Sequence, residues 1–283
     1  MKKIVKFNFL KINVTRWVCI SSILFILAML VLIVGPLLWK SLPDVGLSFL
    51  LGQPVFAGKE GGVGPILLGT LLLTFIALFL CVILGLPVAF QLSHPFKKNK
   101  RIIKTARLSL DLLASTPSIV FGLFGNYFFV ITLKLGYSIL AGALTLSIMI
   151  LPLFIRLCEL ELATYQEKLS PVGFSHGLSD YEFASKVLLP VSLSSIGFIL
   201  LICVSRAFGE TAALLFTSGF SLRSTGNIFE SSRTLSVHIF DMSLNVPGAD
   251  GQAMKSSVVL IIVTVLTSLI ARVFIKKRES NES

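Results

Sequence analysis

Two charged residues interrupt a long apolar stretch, and their types and spacing predict an anion site. Arg206 and Glu210 are four residues apart in a run, Val191–Phe216, that has no other charge. In a helix that spacing places both side chains on one face. A guanidinium group holds an oxyanion through paired N–H donors and keeps its charge at neutral pH. The pattern therefore indicates a place where an anion crosses or binds.

Two roles for this pair remain open. A charge at mid-bilayer costs roughly 3 kcal/mol on insertion scales, so Arg206 is expected to face the protein interior or a wet cavity. The pair could be structural and lock two helices together, or Arg206 could bind the anion while Glu210 orients it or competes for it. We favour the functional role, because ionisable residues in membrane helices usually mark pathways. Arg156 ends another apolar run and could join the pair if the helices are adjacent.

The composition identifies the class of protein that must position these residues. Hydrophobic residues make up 54% of the 283 residues and charged residues only 14%. Together with long uncharged runs, this predicts an all-α integral membrane protein without an appended soluble domain. The net charge of +11 comes from basic residues in the gaps between apolar runs, so we expect no nucleic-acid partner.

The apolar runs and the basic gaps predict the topology. Six transmembrane helices are expected at about 17–39, 65–92, 108–133, 137–155, 191–216 and 256–275. Five Lys/Arg precede the first span, six lie in His94–Arg107, and Lys276–Arg278 follows the last span. The positive-inside rule then places both termini in the cytoplasm. Within the third span, we expect Arg107 and Asp111 to form a helical ion pair.

This topology divides the chain into three parts. Residues 1–64 form a basic segment, an uncleaved first anchor and an external loop. Residues 65–275 form the transmembrane domain, which includes a cytoplasmic loop at 157–190 and an external loop at 217–255. Residues 276–283 form a cytoplasmic tail.

The cytoplasmic loop carries signals for two short helices. Ser170 and Pro171 read as an N-cap and first helical residue, and Gly177 as the left-handed residue that ends the first helix. Ser179 and Glu182 fit a capping box for the second helix, which Pro190 is expected to end after Leu189. Its apolar residues, which include Phe174 and Leu178, either pack on the protein's own helix ends or dock a soluble partner. The spacing does not decide between the two.

No motif for catalysis or for nucleotide hydrolysis is present. The sequence has no G-x-x-x-x-G-K-[ST] phosphate loop and no Ser/His/Asp set at a common membrane face. His94, His176 and His238 are far apart, and the four cysteines form no C-x-x-C pair, so we expect neither a metal site nor disulfides. The chain is predicted not to be an enzyme, and active transport would draw its energy from elsewhere.

From Gly61 to the C-terminus, the sequence resembles the PstA-type permease subunits of bacterial phosphate ABC transporters. The stretches that carry the resemblance are Gly61–Pro65 with Gly69–Leu73, Thr116–Gly125, Leu151–Pro152 with Arg156 and Glu159, and Arg206–Thr211, which matches the family's RAxGET signature. The loop at 157–190 resembles the EAA loop of importer permeases through Gly177 and the pair Leu189–Pro190. It departs from that pattern at Pro171–Gly173, where glutamate and two alanines are usual.

The resemblance implies a type I ABC importer permease in the bacterial inner membrane. This chain would bind no cofactor, since ATP would be used by a separate ATPase subunit. The expected partners are a PstC-type permease, two ATPase copies and an external phosphate-binding protein. The residues expected to contact the ATPase are Ser170, Phe174, Gly177, Leu178, Leu189 and Pro190.

Two alternatives compete with phosphate import. The first is an importer of another oxyanion, such as sulfate, molybdate or phosphonate, which the Arg206–Thr211 resemblance argues against. The second is a stand-alone carrier or channel, which would not need the capped cytoplasmic loop.

Overall fold

A computed structural model describes residues 2–93, 100–175, 177–179, 182–223 and 227–282. The fold is built almost entirely of helices. The α-helices of the described residues are α1 (Lys2–Ser41), α2 (Leu47–Leu51), α3 (Gly64–Ser93), α4 (Lys100–Ala114), α5 (Ser118–Gly125), α6 (Ile139–Ser175), α7 (Leu189–Phe208), α8 (Ala212–Leu215), α9 (Leu235–Leu244) and α10 (Asp250–Glu282). A two-stranded antiparallel hairpin, β1 (Pro54–Val55) and β2 (Glu60–Gly61), precedes α3.

The candidate membrane spans follow the apolar runs of the sequence. Five helices are long and apolar enough to cross a membrane, and a bent pair, Arg101–Ala114 with Ser118–Thr132, could form a sixth span. The predicted all-α architecture of six spans is therefore confirmed in its outline. Two spans differ from the expected single helices, because the third is bent and the fifth is broken.

The core forms around α6, which packs against α3, α4, α5 and α7. Large apolar side chains such as Leu146, Ile150, Phe154 and Leu162 are fully buried along α6. Close approach to α3 depends on Gly85, because a Cβ at that position would meet the Phe154 ring at 2.7 Å. By contrast, the apolar segment of α1 is exposed on all sides in the isolated chain.

The third span bends sharply where a straight helix over 108–133 was expected. α4 and α5 meet at an angle of 93°. The bend lies next to Pro117, which has no N–H to donate and adopts the extended ψ of 139° before α5 begins. After Gly125 the helix continues as π-helical turns over Asn126–Thr132.

The segment 217–255, which was predicted to be an external loop, is more ordered than a loop. It contains α9, whose residues Leu235–His238 and Met242 are buried. α9 packs against α3, α8 and α10 and so completes the outer part of the core. α9 is a short apolar helix, LSVHIFDMSL, within a segment that is otherwise rich in Ser, Gly and Asn.

Candidate functional site

The fifth span is broken at the residues predicted to bind an anion. α7 ends at Phe208, and after Gly209–Thr211 the chain resumes as the short helix α8. Arg206 lies in the last turn of α7, where the negative end of the helix dipole favours a cation. The Glu210 carboxylate accepts a hydrogen bond from the Ala213 N–H at 3.2 Å and so caps α8.

The predicted placement of Arg206 and Glu210 on one face of a continuous helix is wrong. The helix ends between the two residues, and Glu210 is buried while Arg206 is exposed. Arg206 forms no hydrogen bond or ion pair with any residue that the structure describes. The carboxylate that was expected to neutralise it caps α8 instead, so the guanidinium is left available.

Neighbouring helices hold the break in place. The Ser236 hydroxyl of α9 donates to the Glu210 carbonyl oxygen at 2.6 Å, and the Leu235 N–H donates to the Thr70 hydroxyl at 2.9 Å. On the other side, a Cβ at Gly122 of α5 would lie 2.8 Å from the Ala213 Cα. These close contacts with α3, α5 and α9 fix the backbone around Arg206.

Arg156, the third predicted anion residue, is committed to carboxylates. Its Nη1 lies 2.7 Å from an oxygen of Glu159, and its Nε lies 3.4 Å from Asp111. Glu159 is 2% exposed and also accepts from the Nε of Arg107 at 2.5 Å. The predicted ion pair of Arg107 with Asp111 is therefore wrong, because each of them pairs across to α6.

This Arg107–Glu159–Arg156–Asp111 cluster joins α4 to α6. Arg107 also donates to the Leu92 carbonyl at 3.2 Å, which adds the end of α3. The i,i+3 spacing of Arg156 and Glu159 is a sequence signal for their own pair. The cross-helix partners depend on how α4 bends, and the sequence does not indicate that bend.

A second buried ionic cluster, in the external segment, escaped the sequence analysis. Arg233 is 7% exposed, and its Nη1 lies 2.9 Å from an oxygen of Asp241. Its guanidinium also donates to the Phe220 carbonyl oxygen at 3.2 Å and lies over the ring of that residue. His238 is fully buried beside Arg233, and burial together with this cation lowers the pKa of the imidazole to about 4.

In the predicted cytoplasmic loop, the helix-ending glycine and the capping box are present, but the two separate short helices are not. Gly177 has a φ of +71°, as expected for the residue that ends a helix. Ser179 and Glu182 form the expected capping box, with the serine hydroxyl 2.8 Å from the carboxylate and the Glu182 N–H 3.4 Å from that hydroxyl. Bonds with Lys186 and then Ser179 lower the pKa of Glu182 to about 2.

Ser170 does not start a helix, contrary to expectation. α6 runs without a break from Ile139 to Ser175, so Ser170 and Phe174 lie in its last turns. Pro171 is accommodated inside this helix. The side chains of Ser170 and Phe174 are outside the described part of the chain.

The expected break at Leu189–Pro190 is also absent. π-helical turns over Phe183–Leu188 lead directly into α7, and Leu189 is helical with φ −62° and ψ −52°. Pro190 lies where these turns join α7, and the helix continues through it although it has no N–H to donate. Leu178 and Leu189 are half-buried and pack against the main core, while Gly177 and Pro190 are exposed.

A polar contact links the C-terminal part of α6 to α7. The Ser195 hydroxyl of α7 donates to a Glu161 carboxylate oxygen at 2.8 Å and lies 3.2 Å from the Tyr165 hydroxyl. Ser195 and Tyr165 are both buried. Since Arg206 is also on α7, this contact connects the loop-bearing helix to the helix that carries the free guanidinium.

The comparisons with known proteins agree with this architecture. The family model for the binding-protein-dependent transport system inner membrane component matches residues 81–279. The probable ABC transporter permease protein YqgI of Bacillus subtilis (strain 168) is 29% identical over 262 residues, which cover 87% of this chain and 89% of that protein. The phosphate transport system permease protein PstA of Yersinia pestis is 28% identical over 264 residues, covering 92% and 88%.

A solved structure shows the same fold. A chain of the inward-facing MetNI methionine ABC transporter aligns with a TM-score of 0.61 at 18% identity, covering 76% of this chain and 95% of that one. The predicted type I importer fold and the resemblance to PstA-type permeases are confirmed. The family match covers well over half of the sequence and its members are transport permeases, so this multi-pass membrane protein belongs to the binding-protein-dependent transport system inner membrane components.

Proposed function

We propose that this chain is the PstA-type permease subunit of an ATP-driven phosphate importer, and that Arg206 contacts the anion during its passage. Its partners would be a PstC-type permease, a pair of ATPase subunits and an external phosphate-binding protein. The relatives named as phosphate permeases support the substrate, and the unpaired guanidinium at the helix break supports the site.

The state of Arg206 is the observation that carries the proposal. An exposed guanidinium on a membrane helix cannot face lipid without a cost of roughly 3 kcal/mol or more. It therefore faces a wet pathway or the partner permease. The carboxylate of Glu210 is buried at the start of α8, where it accepts from the Ala213 N–H, and it forms no ion pair with Arg206, so Arg206 keeps its donors for an anion. A tetrahedral oxyanion offers the acceptors that a guanidinium fork binds in pairs.

Arg156 has a different role in this mechanism. Its guanidinium is already held by Glu159 and Asp111. We assign it to joining α4 and α6, and an anion would reach it only if those pairs opened.

Coupling to the ATPase would pass through continuous helices. Two helical segments flank the loop at Gly177 in the described chain: α6, which ends at Ser175, and the π-helical turns that begin at Phe183 and lead into α7. A partner that moves this loop as it closes around ATP would tilt α6 and α7 without a hinge at Pro190. The Glu161–Ser195–Tyr165 contact would keep the two helices moving together.

Phosphate uptake by an Arg206→Gln variant tests the proposal. The complete transporter is reconstituted in vesicles, and uptake of labelled phosphate is measured alongside ATP hydrolysis. We expect uptake to fall to the background level while the complex still assembles, because glutamine keeps much of the side-chain volume but removes the charge. Arg223→Gln, a change at an exposed arginine of the external segment, serves as the matched control and is expected to transport normally.

Three outcomes would contradict the proposal. Normal uptake in Arg206→Gln would remove this residue from the pathway. Stronger competition by unlabelled sulfate or molybdate than by unlabelled phosphate would change the substrate. If no ATPase subunit co-purified with the chain, the assignment to an ATP-driven importer would fail.

A further inference from the structure

An apolar cavity lies between the beginnings of α3 and α10, apart from the Arg206 site. Its volume is about 520 Å³, and α2, α3 and α10 form its walls. Phe208 and Leu235, both buried, close its inner end. Leu51, Leu68 and Leu71 line the opposite side and are 77%, 61% and 51% exposed, so the cavity opens sideways from the helix bundle.

The lining of this cavity is mostly apolar and suits an apolar ligand. Thr70 contributes a hydroxyl, but it already donates to the Ile66 carbonyl at 2.7 Å and accepts from the Leu235 N–H at 2.9 Å. Gln53 lies in an exposed position at the rim. The remaining lining is apolar, so the transfer of an alkyl chain from water into this space is favourable.

A lysine lies about one helical turn before the residues of α10 that line the cavity. Lys255, Val259 and Val263 follow one another at intervals of four along α10 and share a face, and the two valines line the cavity. The Lys255 ammonium lies 5.4 Å from the centroid of the Phe49 ring. It forms no ion pair with the described residues, so its charge has no protein counterion there.

We propose that this cavity binds one acyl chain of a membrane phospholipid, with the phosphate diester of the headgroup at Lys255. The topology predicted from the sequence places the start of α10 at the external face of the inner membrane, where lipid headgroups lie. Long lysine side chains near the end of a membrane helix reach towards the headgroups. The apolar slot continues from Lys255 along α10 into the bilayer. The end of a bound acyl chain would contact Phe208, which is the last residue of α7 and lies two residues after Arg206.

Photolabelling tests the proposed site. The full chain, in native membranes with its assembled partners, is exposed to phosphatidylglycerol carrying a photoreactive group near the end of one acyl chain. We expect adducts on the peptides that contain Leu71 and Val263, and saturation of this labelling by excess unlabelled lipid. Lys255→Gln should reduce labelling about fivefold, as expected for the loss of one basic residue near an anionic lipid.

Matched variants separate the cavity from general lipid contact. Val263→Phe fills the cavity and should abolish the adducts. Val265→Phe makes the same change two residues away, at an exposed position that does not line the cavity, and should leave the labelling intact. Lys59→Gln is the control for Lys255, since Lys59 is exposed in the loop before α3.

Several results would overturn the proposal. Labelling that does not saturate, or that is equal in Val263→Phe and Val265→Phe, would mean ordinary lipid around the protein. Absence of adducts in the unaltered chain would mean that a protein surface covers the cavity. Because saturation is measured on the unaltered chain, the test does not depend on the folding of any variant.

Discussion

Arg206 interrupts an apolar run and Arg156 ends another, and both are predicted anion residues, yet their surroundings in the structure are opposite. Arg156 is held by Glu159 and Asp111 on neighbouring turns and helices. Arg206 lies beside a helix break with no partner in the described chain. Arg233, in the segment 217–255, resembles Arg156 in being paired, with Asp241 at 2.9 Å, and it is more deeply buried.

The difference separates arginines that build the fold from one that is free to act. A paired guanidinium has already exchanged its water for carboxylates, so an incoming anion would have to displace them. An unpaired guanidinium in a membrane protein retains its need for a counterion. The contrast makes opposite predictions for stability and transport at the two kinds of site.

The largest stability effect is expected at Glu159. Glu159→Gln removes the buried carboxylate that holds Arg107 and Arg156, and we expect a loss of about 3 kcal/mol, the low end for breaking a buried ion pair, because both arginines reach solvent. Unfolding of the detergent-solubilised chain measures it. Glu230→Gln, at an exposed position, is the control and should change stability by less than about 0.5 kcal/mol. Equal losses of stability in the two variants would contradict the structural role assigned to the Arg107–Glu159–Arg156 pairs.

A smaller effect is expected from pH at the Arg233 cluster. His238 keeps a pKa of about 4 in the folded chain, because it is buried beside Arg233 and the nearby Asp241 opposes this only in part. The unfolded chain binds that proton below about pH 6.5. Stability is therefore full above this pH and is lost as the pH falls towards 4, by about 2 kcal/mol between pH 7 and pH 5.

Unfolding of the wild-type chain and of His238→Gln at the two pH values tests this dependence. The variant should lose less stability on acidification, since glutamine does not titrate. The same loss in both proteins would show that other groups dominate and that His238 is not a neutral, buried member of the cluster.

The smallest stability effect is expected at Arg206 itself. Arg206→Gln breaks no hydrogen bond or ion pair among the described residues, so its stability should stay within about 0.5 kcal/mol of the wild type. Arg156→Gln, which breaks two ion pairs, is the comparison variant and should be clearly less stable. If Arg206→Gln destabilised the chain as much as Arg156→Gln, Arg206 would be a structural residue after all.

The predicted helix ends and breaks show which features can be predicted from the sequence and which cannot. Gly177 and the Ser179–Glu182 capping box were predicted correctly, because their conformations depend on local backbone and side-chain geometry. The helix start at Ser170 and the break at Pro190 were wrong. At Pro190 the helix continues because Phe183 and Leu188 before it and Ser192 after it are buried in the core, and this packing overrides the proline signal.

The amino-acid sequence by itself determined the class of the molecule. Long uncharged runs must lie in a membrane as helices, because every backbone polar group there needs an internal partner. The local pattern around Arg206–Thr211 also marked the residues of the candidate site. Composition and local spacing are enough for such conclusions, since they depend on few long-range contacts.

Only the tertiary structure decided the partner of each charge. Glu210 caps α8 because the helix breaks at Gly209, and Asp111 meets Arg156 because the span bends between α4 and α5, next to Pro117. These pairings depend on the angles between helices, and local sequence patterns do not specify those angles. The sequence predicted a continuous helix through Arg206 and Glu210. In the structure the helix breaks at Gly209, and Arg206 has no partner among the described residues.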